Sequence, residues 1–535
     1  MRREIAKIMI PWLAAVQLFG VVGFGICVSA FAEKYGGTLI VLVKPEPPTL
    51  ASYFSTSGPV GQPASKVYEG LLEYDFDHKP LPGLAKSWKI SEDGLTYTFQ
   101  LQDNVKFHDG KSFTSADVQF TVMEVLKKIH PHGQNIYKEL VSVDAPDPLT
   151  VIFKLANPAP YLIKALSGYE SPIVPRHLFE GTDLRSNPCG NKPVGTGPYK
   201  FVEWKKGQYI RLDRNDKYWQ KGLPYLDRMF FRFIPDASTR TAAIERGEIH
   251  YAGYVSIPPV DVSRLANLPH IGVTSKGYSM NNPMCVFEIN TRRPPFDKRR
   301  VRQAVSYAID RQFIVDNIWY GLGKPATSCM VSTFKDFHVE AMRYDVKGRI
   351  AKANKLLDEA GYPMGKDGIR FEILHDILPY GETWQRLGEY LREVLGEIGI
   401  KVKLRYEDVP KWLKRVFTDY DYYISSDFYY QLPDPVLGMH RNYLTSMILK
   451  GTVFVNASRY SNPRIDYLMG KVSKEMEIRK RAVLYEEIQK ILAVDLPVIP
   501  VFEMENVTLY NKKFRDLFTS PLGPYHKMER AWLAN

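Results

Sequence analysis

Tyr68–Thr121 reads Y-E-G-L-L-E-Y-D-F-D-H-K-P-L-P-G-L-A-K-S-W-K-I-S-E-D-G-L-T-Y-T-F-Q-L-Q-D-N-V-K-F-H-D-G-K-S-F-T-S-A-D-V-Q-F-T. Within it, Leu95–Leu101 alternates apolar and polar residues, the period of a strand buried on one face. His108-Asp109-Gly110 supplies an Asp-Gly turn. Thr114-x-x-Asp117 matches a capping box that opens a helix over Ala116–Ile129, with Asp where Glu is commoner. Leu149–Leu155 is a further strand. In the second half Ile369–Leu374 reads as a strand, and Trp384, Leu387, Leu391, Val394, Leu395 and Ile398 fall on one helical face. Gly399 suits the C-cap of that helix, and Ile400–Leu404 alternates again. A strand–helix–strand run of this length fits a parallel crossover, so the fold class is α/β.

Further blocks follow in order: V-D-A-P-D-P-L-T-V-I-F-K-L-A-N-P-A-P-Y-L at Val143–Leu162, P-V-G-T-G-P-Y-K-F-V-E-W at Pro193–Trp204, Y-W-Q-K-G-L-P-Y-L-D at Tyr218–Asp227, R-T-A-A-I-E-R-G-E at Arg240–Glu248, and P-F-D-K-R-R-V-R-Q-A-V-S-Y-A-I-D-R at Pro295–Arg311. Together with Tyr68–Thr121, Ala351–Tyr362 and Pro497–Val501, they resemble the family 5 extracellular solute-binding proteins of ABC transporters, the group of the oligopeptide- and dipeptide-binding proteins. The resemblance covers nearly all of the chain after residue 35. It implies a two-lobed periplasmic-binding-protein fold with a hinge. The first lobe would be discontinuous, over residues 33–68, 188–288 and 496–535, with an inserted subdomain at 69–187; the second would be residues 289–495. Asn104 stands where relatives usually have Gly, and Asn tolerates the positive φ such a position needs.

Residues 1–32 read as a secretory signal: Arg2, Arg3 and Lys7 precede the apolar stretch Ile8–Val28, and Ala30-Phe31-Ala32 is an A-x-A cleavage site. Cys27 lacks the small preceding residue of a lipobox, which favours a soluble periplasmic protein over a lipid-anchored one. Three cysteines follow the signal, Cys189, Cys285 and Cys329, too few for more than one disulfide. The net charge of +12 admits acidic partners. The basic runs Lys298–Arg302 and Arg479–Arg481, however, are interleaved with apolar positions and read as solvated helix faces, and no nucleic-acid partner is expected. No repeat of 20–50 residues is evident.

The linear motifs of catalysis are missing: no phosphate-loop, zinc-protease or nucleophile-elbow pattern occurs. His130-Pro131-His132 has no third ligand in view and reads as a surface pair; no metal and no cofactor is expected. Gly195-Thr196-Gly197-Pro198 lacks a phosphate-loop lysine and reads as a sharp turn between subdomains. An enzyme is therefore not expected. A secreted hydrolase stays open as a rival, because triads assemble in space and not in sequence.

Tyr420–Tyr430 (Y-D-Y-Y-I-S-S-D-F-Y-Y) is crowded with aromatics, carries two carboxylates and precedes Gln431-Leu432-Pro433-Asp434-Pro435. Aromatics suit a ligand pocket because they offer broad apolar faces with few rotamers to freeze. In the family this strand end and loop face the ligand, which nominates Asp427, Phe428, Tyr430, Gln431 and Asp434. The peptide-binding branches place an Asp four residues before the proline matching Pro435, to hold the peptide ammonium; here that residue is Gln431. The dipeptide branch places an Arg clamp for the carboxylate in R-P-Y; the aligned triplet is Leu378-Pro379-Tyr380, so Leu378 takes the Arg position and Tyr380 the Tyr. Asp427 beside aromatics can hold an amine by charge and cation–π contact. The expected solute is a peptide or modified amino acid, with an opine-like compound or a sugar as the alternative. The expected partners are that solute and the ABC permease subunits of the inner membrane, and a monomer is expected.

Overall fold

The computed structural model describes residues 34–534. The expected signal peptide lies outside the described residues. Two large sheets organise the chain. The first has seven strands in the order 271–274, 508–511, 251–252, 38–43, 228–233, 209–214, 199–205. Thr38–Val43 at its centre runs parallel to Arg228–Phe233. It reads T-L-I-V-L-V, and its alternation decides which core each side chain enters: Leu39, Val41 and Val43 face one apolar cluster, while Leu42 faces another with Ala243, Leu265 and Leu509.

The second sheet has six strands in the order 323–325, 498–504, 282–289, 424–431, 371–376, 400–405. Asn282–Ile289 splits the same way: Cys285, Phe287 and Ile289 enter one core, and Met284 and Val286 the other. Phe371–Asp376 and Ile400–Arg405 pair in parallel, joined through the helix Glu382–Gly396, as the sequence spacing requires. Trp384, Leu387, Leu391, Val394 and Leu395 are buried on that helix, and Gly399 has φ +77°.

A third sheet, antiparallel, joins strands 85–90, 96–101, 150–155 and 140–147. The expected strands appear as Thr96–Leu101 and Thr150–Leu155. The Thr114 N–H donates to the Asp117 carboxylate at 2.9 Å and opens the helix at Ser115. Asn104 adopts φ +61°. Gly195 and Gly197 serve close packing, not only a turn. A Cβ at Gly195 would lie 2.1 Å from the Val67 carbonyl oxygen, and one at Gly197 2.5 Å from that of Lys66.

The chain passes between the two large sheets twice, through residues 275–281 and through 505–507. Asn282–Ile289 and Val498–Met504 are both hydrogen-bonded within the second sheet, so most of 282–288 and 496–504, expected with the first lobe, pair with strand 424–431 or with each other. Cys189, Cys285 and Cys329 are buried free thiols. The basic runs are not wholly solvated: Arg302 is buried and donates to the carbonyls of Phe296 and Asp495, and Arg481 is buried against Asp434. Among the described residues no helix is long and apolar enough to cross a membrane, and no cluster of three or more His, Cys, Asp or Glu side chains is arranged to hold a metal ion.

Candidate functional site

Strand Ile424–Gln431 is central in the second sheet, and both of its faces are covered. Such a strand cannot show an alternating pattern, because neither face meets water. Its end runs into Leu432, Val436 and Leu437, which join the apolar cluster that underlies the first and third sheets. The strand therefore delivers its last side chains to the boundary between the two halves. Asn135 Nδ2 donates across that boundary to the Val436 carbonyl at 3.0 Å.

Two sets of side chains emerge from the strand on opposite faces. Phe428 and Tyr430 share one face, with ring centroids 5.3 Å apart. Phe428 lies 5.9 Å from the Trp384 ring and 6.1 Å from that of Tyr380, which is half exposed. Tyr430 meets Tyr254 edge-on at 6.4 Å. Tyr254 in turn neighbours Tyr525 at 5.4 Å, and Tyr525 stacks flat on Tyr169 at 4.0 Å. The result is an aromatic wall with one tyrosine from the second sheet and three, Tyr169, Tyr254 and Tyr525, from the side of the first sheet.

Asp427, Tyr429 and Gln431 share the other face. Asp427 is 1% exposed, its Oδ1 accepts only the N–H of Phe428, and its Oδ2 has no partner. Burial pushes its carboxyl up to about 8, against the opposing pull of the Phe428 N–H and the Arg441 charge. Beside it, Tyr429 donates to Glu288, whose carboxyl burial also pushes up to about 8.

Gln431 is committed to the frame. Its Oε1 accepts from the Val331 N–H at 3.0 Å and its Nε2 donates to the Cys329 carbonyl at 2.8 Å. Leu378 is fully buried, in the same apolar cluster as Phe287 and Trp384. Asp434 caps the turn Pro435–Gly438 through the Val436 N–H and takes both terminal nitrogens of Arg481, at 2.7 and 2.8 Å. All three nominated residues hold the loop in place through satisfied contacts. Gln431→Asp is accordingly expected to lose about 1–3 kcal/mol of stability, because a carboxylate would face the Cys329 carbonyl. Leu378→Arg, which buries a charge, is expected to lose more. Urea titration of each variant checks both; a neutral Gln431→Asp would contradict the hydrogen-bonding role.

Three polar residues not nominated from the sequence complete the boundary. Arg441, in the short turn His440–Asn442, donates from Nη1 to His132 Nε2 at 3.3 Å, and His132 Nδ1 donates to Glu170 at 2.7 Å. Glu170 is buried, which raises its carboxyl, but the contact with His132 and the Arg441 charge outweigh burial and hold it below the usual range. His130-Pro131-His132 is thus no surface pair. His130 is buried with both ring nitrogens unpartnered, and burial lowers its imidazole to about 3, leaving it neutral.

A frame of this kind is found in known proteins. The family described as bacterial extracellular solute-binding proteins, family 5 (middle), matches residues 79–446. The chain belongs to this family. Its members are extracellular solute-binding proteins and not enzymes. Over 518 residues this solute-binding protein is 28% identical to the glutathione-binding protein GsiB of Salmonella paratyphi A, covering 95% of this chain and 96% of that one. It is also 28% identical over 533 residues to the oligopeptide-binding protein AppA of Bacillus subtilis, covering 95% and 93%. The solved structure of the ABC transporter substrate-binding protein CtaP of Listeria monocytogenes superposes with a TM-score of 0.81 at 28% identity, covering 94% of this chain and 100% of that one. AppA in complex with a nonapeptide superposes with a TM-score of 0.80 at 25% identity, covering 94% and 100%. The fold is that of the two-lobed periplasmic binding proteins, and this family 5 protein is a substrate-binding component of an ABC transporter.

Proposed function

We propose that this solute-binding protein is exported, with its signal cleaved after Ala32, and captures a peptide or modified amino-acid solute between its lobes for delivery to a membrane permease. The lobes would meet at the crossovers 275–281 and 505–507, with residues 69–187 inserted in the first. Asp427, Phe428, Tyr430 and Tyr380 would contact the solute, while Gln431, Leu378 and Asp434 shape the loop behind them. The observation that carries this reading is the pairing, on the two faces of one strand end, of an aromatic wall built from both halves with a buried, unpartnered Asp427 Oδ2. A carboxyl that burial holds protonated gains a strong reason to ionise when an ammonium arrives. The naming of GsiB for glutathione and the nonapeptide bound to AppA support a peptide-class solute.

Isothermal calorimetry with glutathione and a di- to nonapeptide panel tests the reading. Asp427→Asn is expected to weaken the tightest of them by about 30-fold or more, the size of a lost charge pair. The radius of gyration in solution is expected to fall on binding, because ligand contacts from both lobes favour the closed form. Tight binding without compaction, or an undiminished Asp427→Asn, would count against it. Sequencing of exported protein is expected to begin near Glu33; a retained N-terminus would refute cleavage.

A further inference from the structure

The guanidinium of Arg441 is placed at the lobe boundary without an anion. It is half-buried overall, and its Nε is fully enclosed with no hydrogen-bond partner. No carboxylate among the described residues lies within ion-pair distance of it; its single protein partner is the His132 ring at 3.3 Å. That bond requires His132 Nε2 to be unprotonated, so the partner is a neutral acceptor, and the Nδ1 proton points at Glu170. Elsewhere in the molecule buried arginines are satisfied: Arg481 by the Asp434 carboxylate, Arg311 by the Pro500 carbonyl, Ser306 and Asp345, Arg302 by three carbonyls. Arg459 also has an enclosed Nε and no carboxylate partner, but its Nη2 donates to the Asn290 side chain; Arg441 differs in its place at the boundary, with Tyr169, Tyr429, Glu170 and Asp427 as its charged or ionisable neighbours.

We propose that Arg441 is the anchor for a carboxylate of the solute, an inference that rests on the peptide-class reading above. A guanidinium presents a planar fork that matches a carboxylate through two parallel hydrogen bonds, and the free Nε is one tine of that fork. The surrounding acids select against a more highly charged anion: the Glu170 carboxylate, with one unpartnered oxygen, would repel a phosphate dianion, while Asp427 is available to ionise for the cationic end of a zwitterion. The anchor also links binding to closure. Arg441 belongs to the second half of the chain and His132 and Glu170 to the inserted segment, so a solute carboxylate held by Arg441 sits against both. A core leucine occupies the position of the dipeptide-branch arginine, Leu378, and Arg441 supplies the positive charge from a different element.

The test uses the mature protein, glutathione and a tryptic digest of casein, each as the free acid and after methyl esterification of its carboxyls. Bound species are identified by mass spectrometry, and their affinities are measured by calorimetry. Wild type is expected to bind free-acid species and to bind the same species at least about 30-fold more weakly once esterified, the penalty of removing one partner of a buried charge pair. Arg441→Gln is expected to bind both forms with similar, weak affinity, and Arg441→Lys to recover part of the preference. Equal binding of acids and esters by wild type overturns the assignment without any variant having to fold, as does an Arg441→Gln protein that keeps the preference. If wild type binds neither form of either probe, the peptide-class reading fails and the anchor falls with it.

Discussion

Arg481→Met is expected to destabilise the protein by about 3–5 kcal/mol, the cost of stranding a buried charge. Asp434 and Arg481 are each about 5% exposed or less, and the two hydrogen bonds between them are short and parallel. Removing the guanidinium leaves the Asp434 carboxylate enclosed with only the Val436 N–H to serve it. The double variant Asp434→Asn/Arg481→Met keeps an N-cap acceptor and removes the orphan charge, so it is expected to be more stable than Arg481→Met alone. Urea denaturation of the three proteins measures this. The pair matters beyond stability because it roots the loop between Tyr430 and Arg441. Arg481→Met should therefore also loosen the boundary that those two residues share. A loss below about 1 kcal/mol would show that the pair contributes no more than an exposed one.

The second large effect is on pH dependence. Asp427 and Glu288 are raised to about 8 in the folded protein by burial. In the unfolded chain they titrate near 4, so between roughly pH 4 and 8 the folded state binds more protons than the unfolded one. The slope of unfolding free energy with pH follows the protons bound by the unfolded state minus those bound by the folded state, and is negative here. Stability contributed by the two neutral carboxyls is full below the unfolded values and is lost as pH rises through the folded ones, at up to about 1.4 kcal/mol per pH unit for each proton. The isosteric double variant Asp427→Asn/Glu288→Gln is expected to lose much less stability than wild type between pH 5 and 9. Parallel curves would mean that both carboxyls ionise normally. A cationic solute at Asp427 opposes the trend, since it favours the ionised carboxylate; binding should tighten as pH rises toward 8 in wild type but not in Asp427→Asn, and tighten no further above it, where the solute's ammonium deprotonates.

What the sequence disclosed follows from which elements meet water on one side. Thr96–Leu101 and the helix Glu382–Gly396 have one wet face, so their periods of two and 3.6 are written in the residue order. Ile424–Gln431 has none. Tyr420–Tyr430 shows only that aromatics are abundant, and not that Phe428 and Tyr430 share a face from which Asp427 and Gln431 are excluded. The fate of Gln431 was hidden for another reason: its partners, Cys329 and Val331, are a hundred residues away. Arg441 and His132 are 309 residues apart, and only the tertiary fold brings them together. Asp434 looked available because its cation, Arg481, sits on a helix whose charges read as solvated. Close packing and remote partners, the two features that local pattern does not encode, decide which polar groups are free.

The most direct measurement is a crystal structure of the mature protein with the solute it retains from a peptide-rich growth medium. A solute enclosed between the two large sheets is expected, with an ammonium on Asp427 Oδ2, a carboxylate on Arg441 and its body against Tyr430 and Tyr254. A solute bound to one lobe alone, or one that touches neither Asp427 nor Arg441, would contradict the account.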